Sequence, residues 1–235
     1  VHSSNIVMAQ IGRAVGREKM ANFLSHFGYD KKAKQLPGWA LRFQNGKYPE
    51  RADFMREKGP DGMVFTIPSL SFGREIEVPI IDHTMALASI ANGGKLLRAK
   101  LNFEQEPIED GRVMSEGVAE NVRNAMHDMI MYDNRKWLPH RDDFNYCGKS
   151  GTSKHISGPA KDKYTSLFVA YGPLEEPEVL VLVVAFGTHG TTAHYYGSQV
   201  CGPAAANILQ HALKSRGTLP PSGLESGANK ANLDR

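Results

Sequence analysis

The run Lys149-Ser150-Gly151-Thr152 places a cation, two hydroxyls and a glycine in a segment whose pattern predicts a β-strand. A lysine and a hydroxyl that point from a strand into a cleft would bind a carboxylate through charge-assisted hydrogen bonds, and the glycine would let a ligand lie close. The free edge of the strand could pair with a peptide, and the Thr152 N–H could face a developing oxyanion. The same run is also typical of a solvent-facing strand with a turn glycine.

A phosphate-binding loop is a rival interpretation of Gly148-Lys149-Ser150. The first glycine of that motif would fall at position 143, which is Asp143, and the loop would have to lead into a helix. The residues that follow Thr152 continue as a strand pattern instead. The phosphate-binding interpretation therefore fails on both counts.

A second polar run, Ser3-Ser4-Asn5, precedes an apolar helical pattern. Serine and asparagine are favoured helix N-cap residues, because their side chains accept hydrogen bonds from the first backbone N–H groups. Taken alone, the run predicts no more than the start of a helix.

The composition is that of a globular protein with one large domain or two small ones. The 235 residues are 41% hydrophobic and 23% charged, and the net charge is +3. That charge is small and no basic stripe is interleaved with aromatics, so nucleic acid is not an expected partner. The longest apolar run, 179–186, is far shorter than the roughly 20 residues that cross a bilayer. Cys147 and Cys201 form neither a disulfide framework nor a metal motif.

The N-terminal half predicts two helices separated by loops. Apolar residues at helical spacing predict a helix over 5–27. The glycines, prolines and charges of 28–68 predict long surface loops with room for one short helix, and 69–73 ends that stretch. A second helix over 79–92 is apolar on most sides, which predicts that it is buried. Gly93-Gly94 would end it.

The C-terminal half predicts a helix, a β-sheet and a last helix. The expected elements are a helix over 115–131, strands over 144–156, 164–172 and 179–187, and a helix over 198–213. The third strand is apolar on both faces, which predicts a central strand covered by helices. From residue 214 onward the composition predicts disorder.

Taken in order, these motifs resemble those of class B penicillin-binding proteins. The segment 69–94 is similar to that family's SFG turn and buried helix ending in Asn-Gly-Gly, and 112–130 resembles its next helix. Leu36-Pro37-Gly38 matches the family's L-P-G-E, except that Trp39 replaces the glutamate. The run CGKSGTS is similar to A-G-K-T-G-T-A, and the opening serine and asparagine to the S-x-N motif. The resemblance extends from residue 3 to about 213.

The resemblance implies an α+β fold of the penicillin-binding and serine β-lactamase kind, with an antiparallel sheet flanked by helices. Residues 1–213 would be the C-terminal part of a transpeptidase domain, and 214–235 a disordered tail. In the family, two strands and the nucleophile helix precede the S-x-N motif, so we expect an incomplete fold here. Apolar surface on the 79–92 helix and the last strand would then be exposed, and the chain could self-associate through its sheet.

The resemblance also implies a reaction. Family members cross-link peptidoglycan: a serine attacks the D-Ala-D-Ala carbonyl of a stem peptide, forms an acyl-enzyme and passes the acyl group to an amine, and β-lactams bind the same site. By this likeness Ser3 would take part in proton relay to the leaving amine. Asn5 would hydrogen-bond the acyl side-chain amide of the substrate.

The remaining implied roles fall on the strand motif. Lys149 and Ser150 would position the terminal carboxylate beside Gly151, and the Thr152 N–H would form half of the oxyanion hole. Ser150 stands where threonine is commoner in the family, and it keeps the hydroxyl. No cofactor is expected.

The family's Ser-x-x-Lys motif, which carries the nucleophile, is not among these residues, because no serine has a lysine three positions on. Covalent catalysis needs a nucleophile with an adjacent base, so we expect the chain to be inactive alone. Ser3 could attack, with Lys149 as its base, only if the motif residues changed roles. Two functions stay open: a D,D-transpeptidase whose longer parent is membrane-anchored and faces the periplasm, or a sensor or scaffold that binds β-lactam or stem peptide without turnover.

Two further groups carry weaker signals. His189 and His194 flank a turn after the last strand, but two ligands without a third make a weak metal site, so no metal is expected. Tyr195-Tyr196-Gly197 matches the small-residue entry to the family's last helix, and we expect it to serve packing.

Overall fold

The computed structural model describes residues 3–29, 67–74, 76, 78–102, 104–132, 138–155, 160–188 and 195–219. The chain divides into two compact units, Val1–Ala125 and Met126–Arg235, and each is described by itself. The helices are α1 (Asn5–Val15), α2 (Arg17–His26), α3 (Ile67–Ser71), α4 (Ile80–Ala91), α5 (Glu116–Met131), α6 (Gly197–Val200) and α7 (Gly202–Arg216). The strands are β1 (Lys95–Leu97), β2 (Glu109–Arg112), β3 (Cys147–Lys154), β4 (Tyr164–Gly172) and β5 (Val179–Thr188). The expected α+β fold with antiparallel sheets is confirmed.

The first helix of the chain starts as the sequence predicts and ends earlier. Ser4 is the N-cap of α1, and its Oγ accepts a hydrogen bond from the Val7 N–H at 3.4 Å. The single helix expected over 5–27 is wrong, because Gly16 adopts φ 82° and separates α1 from α2. A positive φ is open to glycine at no steric cost, so the break falls at that residue.

Helix α1 packs on α3, a short helix that begins at the end of the 28–68 segment, where long loops with one short helix were expected. A Cβ at Gly12 would lie 2.6 Å from the Ser71 Cβ, so the glycine allows this close approach. Gly12 is the buried residue of α1. The apolar side chains that define the helical pattern are exposed instead, Ile6 by 72% and Ile11 by 47%.

The apolar helix of the first unit, α4, ends as predicted but is less buried than expected. Asp82, Ala86 and Ser89 are buried, whereas Ile80 is 46% exposed. The helix ends before two glycines with positive φ, and a Cβ at Gly94 would lie 2.2 Å from the Met114 carbonyl oxygen. This close approach to Met114 explains why position 94 requires a glycine.

Strands β1 and β2 form an antiparallel pair that the sequence pattern does not predict. Both strands are short, and every residue of β2 is exposed. Lys95 and Glu109 pair at 3.4 Å, and Arg98 and Asp110 at 2.6 Å. A strand that buries no face has no alternation of apolar and polar residues from which to recognise it.

The second unit is a three-stranded antiparallel sheet with the order β3-β4-β5. One face packs against α7 and the end of α5, around a core that includes Ile130, Tyr146, Phe168, Leu209 and Leu213, each fully buried. Strand β4 is the central strand. Among the described residues, no helix is both long and apolar enough to span a membrane.

The expectation that the last strand is central is wrong, because β5 is an edge strand of the sheet that the described residues form. Val181 and Val183 pack against the core, while Phe186 is 68% exposed. Apolar residues on both faces indicate what lies above and below a strand. They do not indicate whether a neighbouring strand pairs with each edge.

The last helix is divided in two and extends further than predicted. Cys201 separates α6 from α7, and α7 continues to Arg216, three residues past the expected end at 213. Gly217 then ends the helix in the left-handed conformation, with φ 79°. Cys147 and Cys201 are both buried, and neither forms a disulfide.

Several expectations fall on residues outside the described ranges. They are the loop over 30–66 with its Leu36-Pro37-Gly38 motif, the two histidines His189 and His194, and the tail from 220.

Candidate functional site

The candidate strand motif lies on β3, which pairs with β4 along one edge. Ser150 is opposite Phe168, and Thr152 is opposite Ser166. No strand pairs with the other edge of β3 among the described residues. An unpaired edge presents backbone N–H and C=O groups to which an extended peptide can add as a further strand.

Two glycines let β3 lie close to its neighbours. A Cβ at Gly148 would lie 2.6 Å from Ile130 Cδ1 and 2.9 Å from the Phe168 ring. A Cβ at Gly151 would lie 3.0 Å from the Leu167 side chain. The glycine of the strand motif therefore has a packing reason in addition to the ligand-approach role expected from sequence.

The cation of the motif lies along the strand. Lys149 is half-buried, and its Nζ donates a hydrogen bond to the Ser150 carbonyl oxygen at 2.7 Å. Ser150 is also half-buried. A lysine held at the backbone of an edge strand, next to a hydroxyl, is a suitable partner for a carboxylate, because it adds a point charge to neutral donors.

The Thr152 side chain makes a contact that sequence reasoning did not find. Its Oγ1 accepts a hydrogen bond from the Gly197 N–H at 2.8 Å. On the opposite strand, the fully buried Ser166 donates from Oγ to the Tyr195 carbonyl oxygen at 2.5 Å. Two hydroxyls on neighbouring strands thus hold the segment 195–197 against the sheet.

The first tyrosine of this segment, Tyr195, stacks on Tyr164 of β4, and the second, Tyr196, is tilted against Tyr195. The ring centroids of Tyr164 and Tyr195 are 4.2 Å apart, and those of Tyr195 and Tyr196 are 4.5 Å apart. Tyr164 begins β4 and is paired with Lys154 at the end of β3. A hydrogen bond to Tyr196 raises the pKa of Tyr195. The only sequence signal for this stack was the paired tyrosine before Gly197.

The serine and asparagine run belongs to the first unit. Asn5 is the first residue of α1, and both Ser3 and Asn5 are exposed. The structure therefore groups Lys149, Ser150, Gly151 and Thr152 on one strand of the second unit, and it describes the S-x-N run at a helix start in the other unit.

Residues 1–210 match the family model described as "Penicillin binding protein transpeptidase domain". Relatives include "Probable peptidoglycan D,D-transpeptidase PenA" of Neisseria gonorrhoeae, 26% identical over 97% of this chain and 37% of that protein. "Probable peptidoglycan D,D-transpeptidase PbpC" of Pseudomonas aeruginosa is 28% identical over 96% of this chain and 38% of that protein.

The fold is shared with solved structures. The apo structure of the TP domain of Burkholderia pseudomallei penicillin-binding protein 3 is similar with a TM-score of 0.70 and 25% identity, covering 92% of this chain and 63% of that one. The present chain spans well under half the length of the two relatives named above. By its match over nearly all of its length, this chain belongs to the penicillin-binding protein transpeptidase domain family.

Proposed function

We propose that this chain is the substrate-binding part of a peptidoglycan D,D-transpeptidase, and that it binds the D-Ala-D-Ala end of a stem peptide and the β-lactams that mimic it. The observation that carries the proposal is the Lys-Ser-Gly-Thr run on an unpaired strand edge, in a chain that belongs to the transpeptidase family. The names of the relatives support the reaction, since several are peptidoglycan D,D-transpeptidases.

In this proposal, β3 recognises the end of the peptide. Lys149 and Ser150 bind the terminal carboxylate, and the Gly151 position lies under the peptide backbone. The Thr152 N–H supplies one donor of the oxyanion hole, where a preorganised N–H stabilises the negative charge that develops on the attacked carbonyl. The half-buried position of these residues supports the assignment, because partial desolvation strengthens a charge-assisted hydrogen bond.

The S-x-N run would serve the other side of the scissile bond. Ser3 would take part in proton relay to the leaving amine, and Asn5 would bind the acyl side-chain amide. Their exposure at the start of α1 leaves both side chains accessible to a ligand.

The attacking serine is not among these 235 residues, which contain no Ser-x-x-Lys run. We therefore assign the acylation step to a nucleophile outside them and expect the 235 residues to form no acyl-enzyme on their own. The parent protein would be anchored in the cell envelope and act on its periplasmic side. The exposed edge of β5 would let these residues self-associate when they are studied alone.

Lysine replacement tests the carboxylate role. Lys149→Ala should weaken binding of an acylated peptide ending in D-Ala-D-Ala at least about tenfold, because a charge-assisted hydrogen bond contributes roughly 1.5–3 kcal/mol. Isothermal titration with the free acid and with its C-terminal amide measures the effect. Lys161, exposed in the loop between β3 and β4, gives the matched control Lys161→Ala, which should leave the affinity unchanged.

Two results would reject the carboxylate role. One is equal binding of the acid and the amide by the unaltered chain. The other is an equal loss of affinity in both lysine variants, which would indicate a general effect of positive charge rather than a site on β3.

A further inference from the structure

We propose that Asn92 is a deamidation site, and that the turn between α4 and β1 keeps it unreactive until that turn opens. Asparagine followed by glycine is the dipeptide in which deamidation meets the least steric hindrance, because glycine has no side chain to shield its backbone nitrogen. Two asparagines precede glycine in this chain, Asn45 and Asn92. Asn92 follows the last residue of α4, and its side chain is exposed to water. This site is independent of the proposed function.

The reaction consumes only water. The Gly93 backbone nitrogen attacks Asn92 Cγ, so that an N–Cγ bond forms, the Cγ–Nδ2 bond breaks, and ammonia leaves with the proton of the Gly93 N–H. Water then opens the resulting five-membered succinimide at either carbonyl. The products are aspartate and isoaspartate, and both carry a new carboxylate.

The backbone at Asn92 holds the reacting atoms apart. The five-membered ring closes at a ψ of about −120°, where the Gly93 nitrogen lies on the same side of the Cα–C bond as Cβ, and this value is outside the main allowed regions for an L-residue. At Asn92 ψ is 19°, which places the nitrogen on the opposite side. Rotation is opposed by two hydrogen bonds, from the Asn92 N–H to the Ala88 carbonyl oxygen at 3.0 Å and from the Gly94 N–H to the Ser89 carbonyl oxygen at 2.7 Å.

The side chain of Asn92 is held as well. Its Oδ1 accepts a hydrogen bond from the Lys95 N–H at 3.0 Å, and its Nδ2 donates to the Lys95 carbonyl oxygen at 2.9 Å. The amide thus pairs with the backbone of the first residue of β1 as a residue of a neighbouring strand would. Arg112 of β2 donates from Nη1 to the Gly93 carbonyl oxygen at 2.5 Å. Because the turn is held on both sides, attack has to wait until the turn opens locally.

Deamidation would prevent the turn from closing again in its present form. Both products lack Nδ2, the donor to the Lys95 carbonyl oxygen, and in aspartate a carboxylate oxygen takes its place, so that two acceptors face each other. The new negative charge lies at the C-terminal end of α4, where the helix dipole disfavours an anion. Isoaspartate also adds a methylene group to the main chain between α4 and β1. The modification therefore proceeds in one direction.

Peptide mapping by mass spectrometry tests the proposal on the 235-residue protein, incubated over time in neutral buffer and in concentrated urea. We expect Asn92 to react at least about tenfold more slowly in buffer than in urea, because the folded chain seldom opens the turn. In urea Asn45 should react at the same rate as Asn92 and serves as the internal reference. Equal rates at Asn92 in buffer and urea would overturn the role of the turn, and no reaction at Asn92 in urea would overturn the site itself.

Glycine variants show whether the turn or the whole first unit has to open. Gly94→Ala places a Cβ 2.2 Å from the Met114 carbonyl oxygen, at φ 103°, and should raise the rate at Asn92 at least about threefold. Gly73→Ala has a similar positive φ of 83° in the same unit, with no atom within 4 Å of the added Cβ, and should leave the rate within about twofold of the unaltered chain. An equal rise in both variants would overturn the proposal, because unfolding of the unit would then control the reaction.

A third measurement covers the case in which Gly94→Ala does not fold. Asn92→Asp carries one product of the reaction and should exchange the Gly94 amide hydrogen faster than the unaltered chain, because the turn has lost a donor and gained a charge. Asn102→Asp makes the same change between β1 and β2 and should leave that exchange rate unchanged. Equal protection of Gly94 in Asn92→Asp and the unaltered chain would refute the one-way step.

Discussion

Gly148 lies where strand β3 meets the core of the second unit, and it carries no side chain that could touch a ligand. Its importance is in the space around it, since Ile130 and Phe168 occupy the volume that a Cβ would need. In the sequence this glycine precedes a lysine and resembles the end of a phosphate-binding loop, an interpretation that Asp143 and the strand pattern after Thr152 exclude. The structure explains it by close packing between β3 and α5, a contact between residues distant in the chain.

Replacement of this glycine should therefore destabilise the second unit. Gly148→Ala forces a methyl group to within 2.6 Å of Ile130 Cδ1, and overpacking of this kind costs about 1–3 kcal/mol of the free energy of unfolding. Urea denaturation followed by circular dichroism measures the change. Ser215→Ala, at an exposed position of α7 in the same unit, should change the free energy of unfolding by less than about 0.5 kcal/mol. Equal stability of Gly148→Ala and the unaltered chain would contradict the packing described for β3.

At the residue scale, the sequence predicted the strand location of Lys149, Ser150 and Thr152, because hydroxyls, glycine and lysine followed a strand pattern. It did not predict the contact between Thr152 and Gly197. That contact joins positions 45 residues apart, and no local pattern encodes which backbone N–H a hydroxyl will meet. The buried Ser166 was missed for the same reason.

Helix α4 shows how an element can combine apolar and titratable groups on one buried side. His83 follows the buried Asp82, and the His83 Nδ1 lies 2.8 Å from the Tyr29 hydroxyl oxygen. Burial lowers the pKa of His83, while burial and the nearby Asp82 raise the pKa of Tyr29. Both shifts favour the neutral forms of the two side chains, which can then share one hydrogen bond.

The lowered pKa of His83 predicts a pH dependence of stability. As the pH falls, the unfolded chain binds a proton at His83 near pH 6.5, whereas the folded chain binds it only at a lower pH. The contribution of neutral His83 to the free energy of unfolding is therefore complete above pH 6.5. It is lost as the pH falls from 6.5 through the lower folded pKa. Denaturant titrations at a series of pH values should show this fall in the free energy of unfolding of the first unit.

Substitution isolates the part of the pH dependence that belongs to this residue. His83→Gln should flatten the fall below pH 6.5, whereas His26→Gln, at an exposed position of α2, should retain it. If the two variants show the same pH profile, the fall in the free energy of unfolding below pH 6.5 does not come from the burial of His83.

At the element scale, the sequence predicted well those helices and strands that bury apolar side chains in a core. The expected strand over 164–172 coincides with β4, and the expected helix over 115–131 differs from α5 by one residue. The sequence predicted elements poorly where no side chain is buried, and where a single glycine ends a helix. The exposed strand β2 has no apolar alternation, and Gly16 divides a continuous helical pattern in two.

At the scale of the molecule, β5 is an edge strand of the sheet that the described residues form, and its face away from the core is apolar. In β5 the side chains facing away from the core include Leu182, Val184 and Phe186, which alternate with the core-facing valines. Such an edge, without lysine or proline to block pairing, favours association with another strand. The sequence predicted the apolar character of both faces but not the edge position, because strand order depends on contacts that no local pattern contains.

A charge on this strand should reduce self-association of the chain. Phe186→Lys places a cation on the exposed face of β5 and should lower the oligomeric fraction seen by sedimentation velocity over a range of protein concentrations. Ile208→Lys, at a position of α7 that is 50% exposed, introduces the same charge elsewhere in the same unit and should leave the fraction unchanged. A similar reduction in both variants would mean that association is nonspecific and does not use β5.

We propose that these residues hold the substrate-binding strand of a transpeptidase without its nucleophile. A fluorescent penicillin tests both parts in one sample, by polarization in solution and by fluorescence on a denaturing gel. We expect polarization to rise with protein concentration and to be reversed by excess D-Ala-D-Ala peptide, and we expect no fluorescent band on the gel. A stable adduct, above all one mapped to Ser3, or a polarization that does not respond to the protein, would contradict the account.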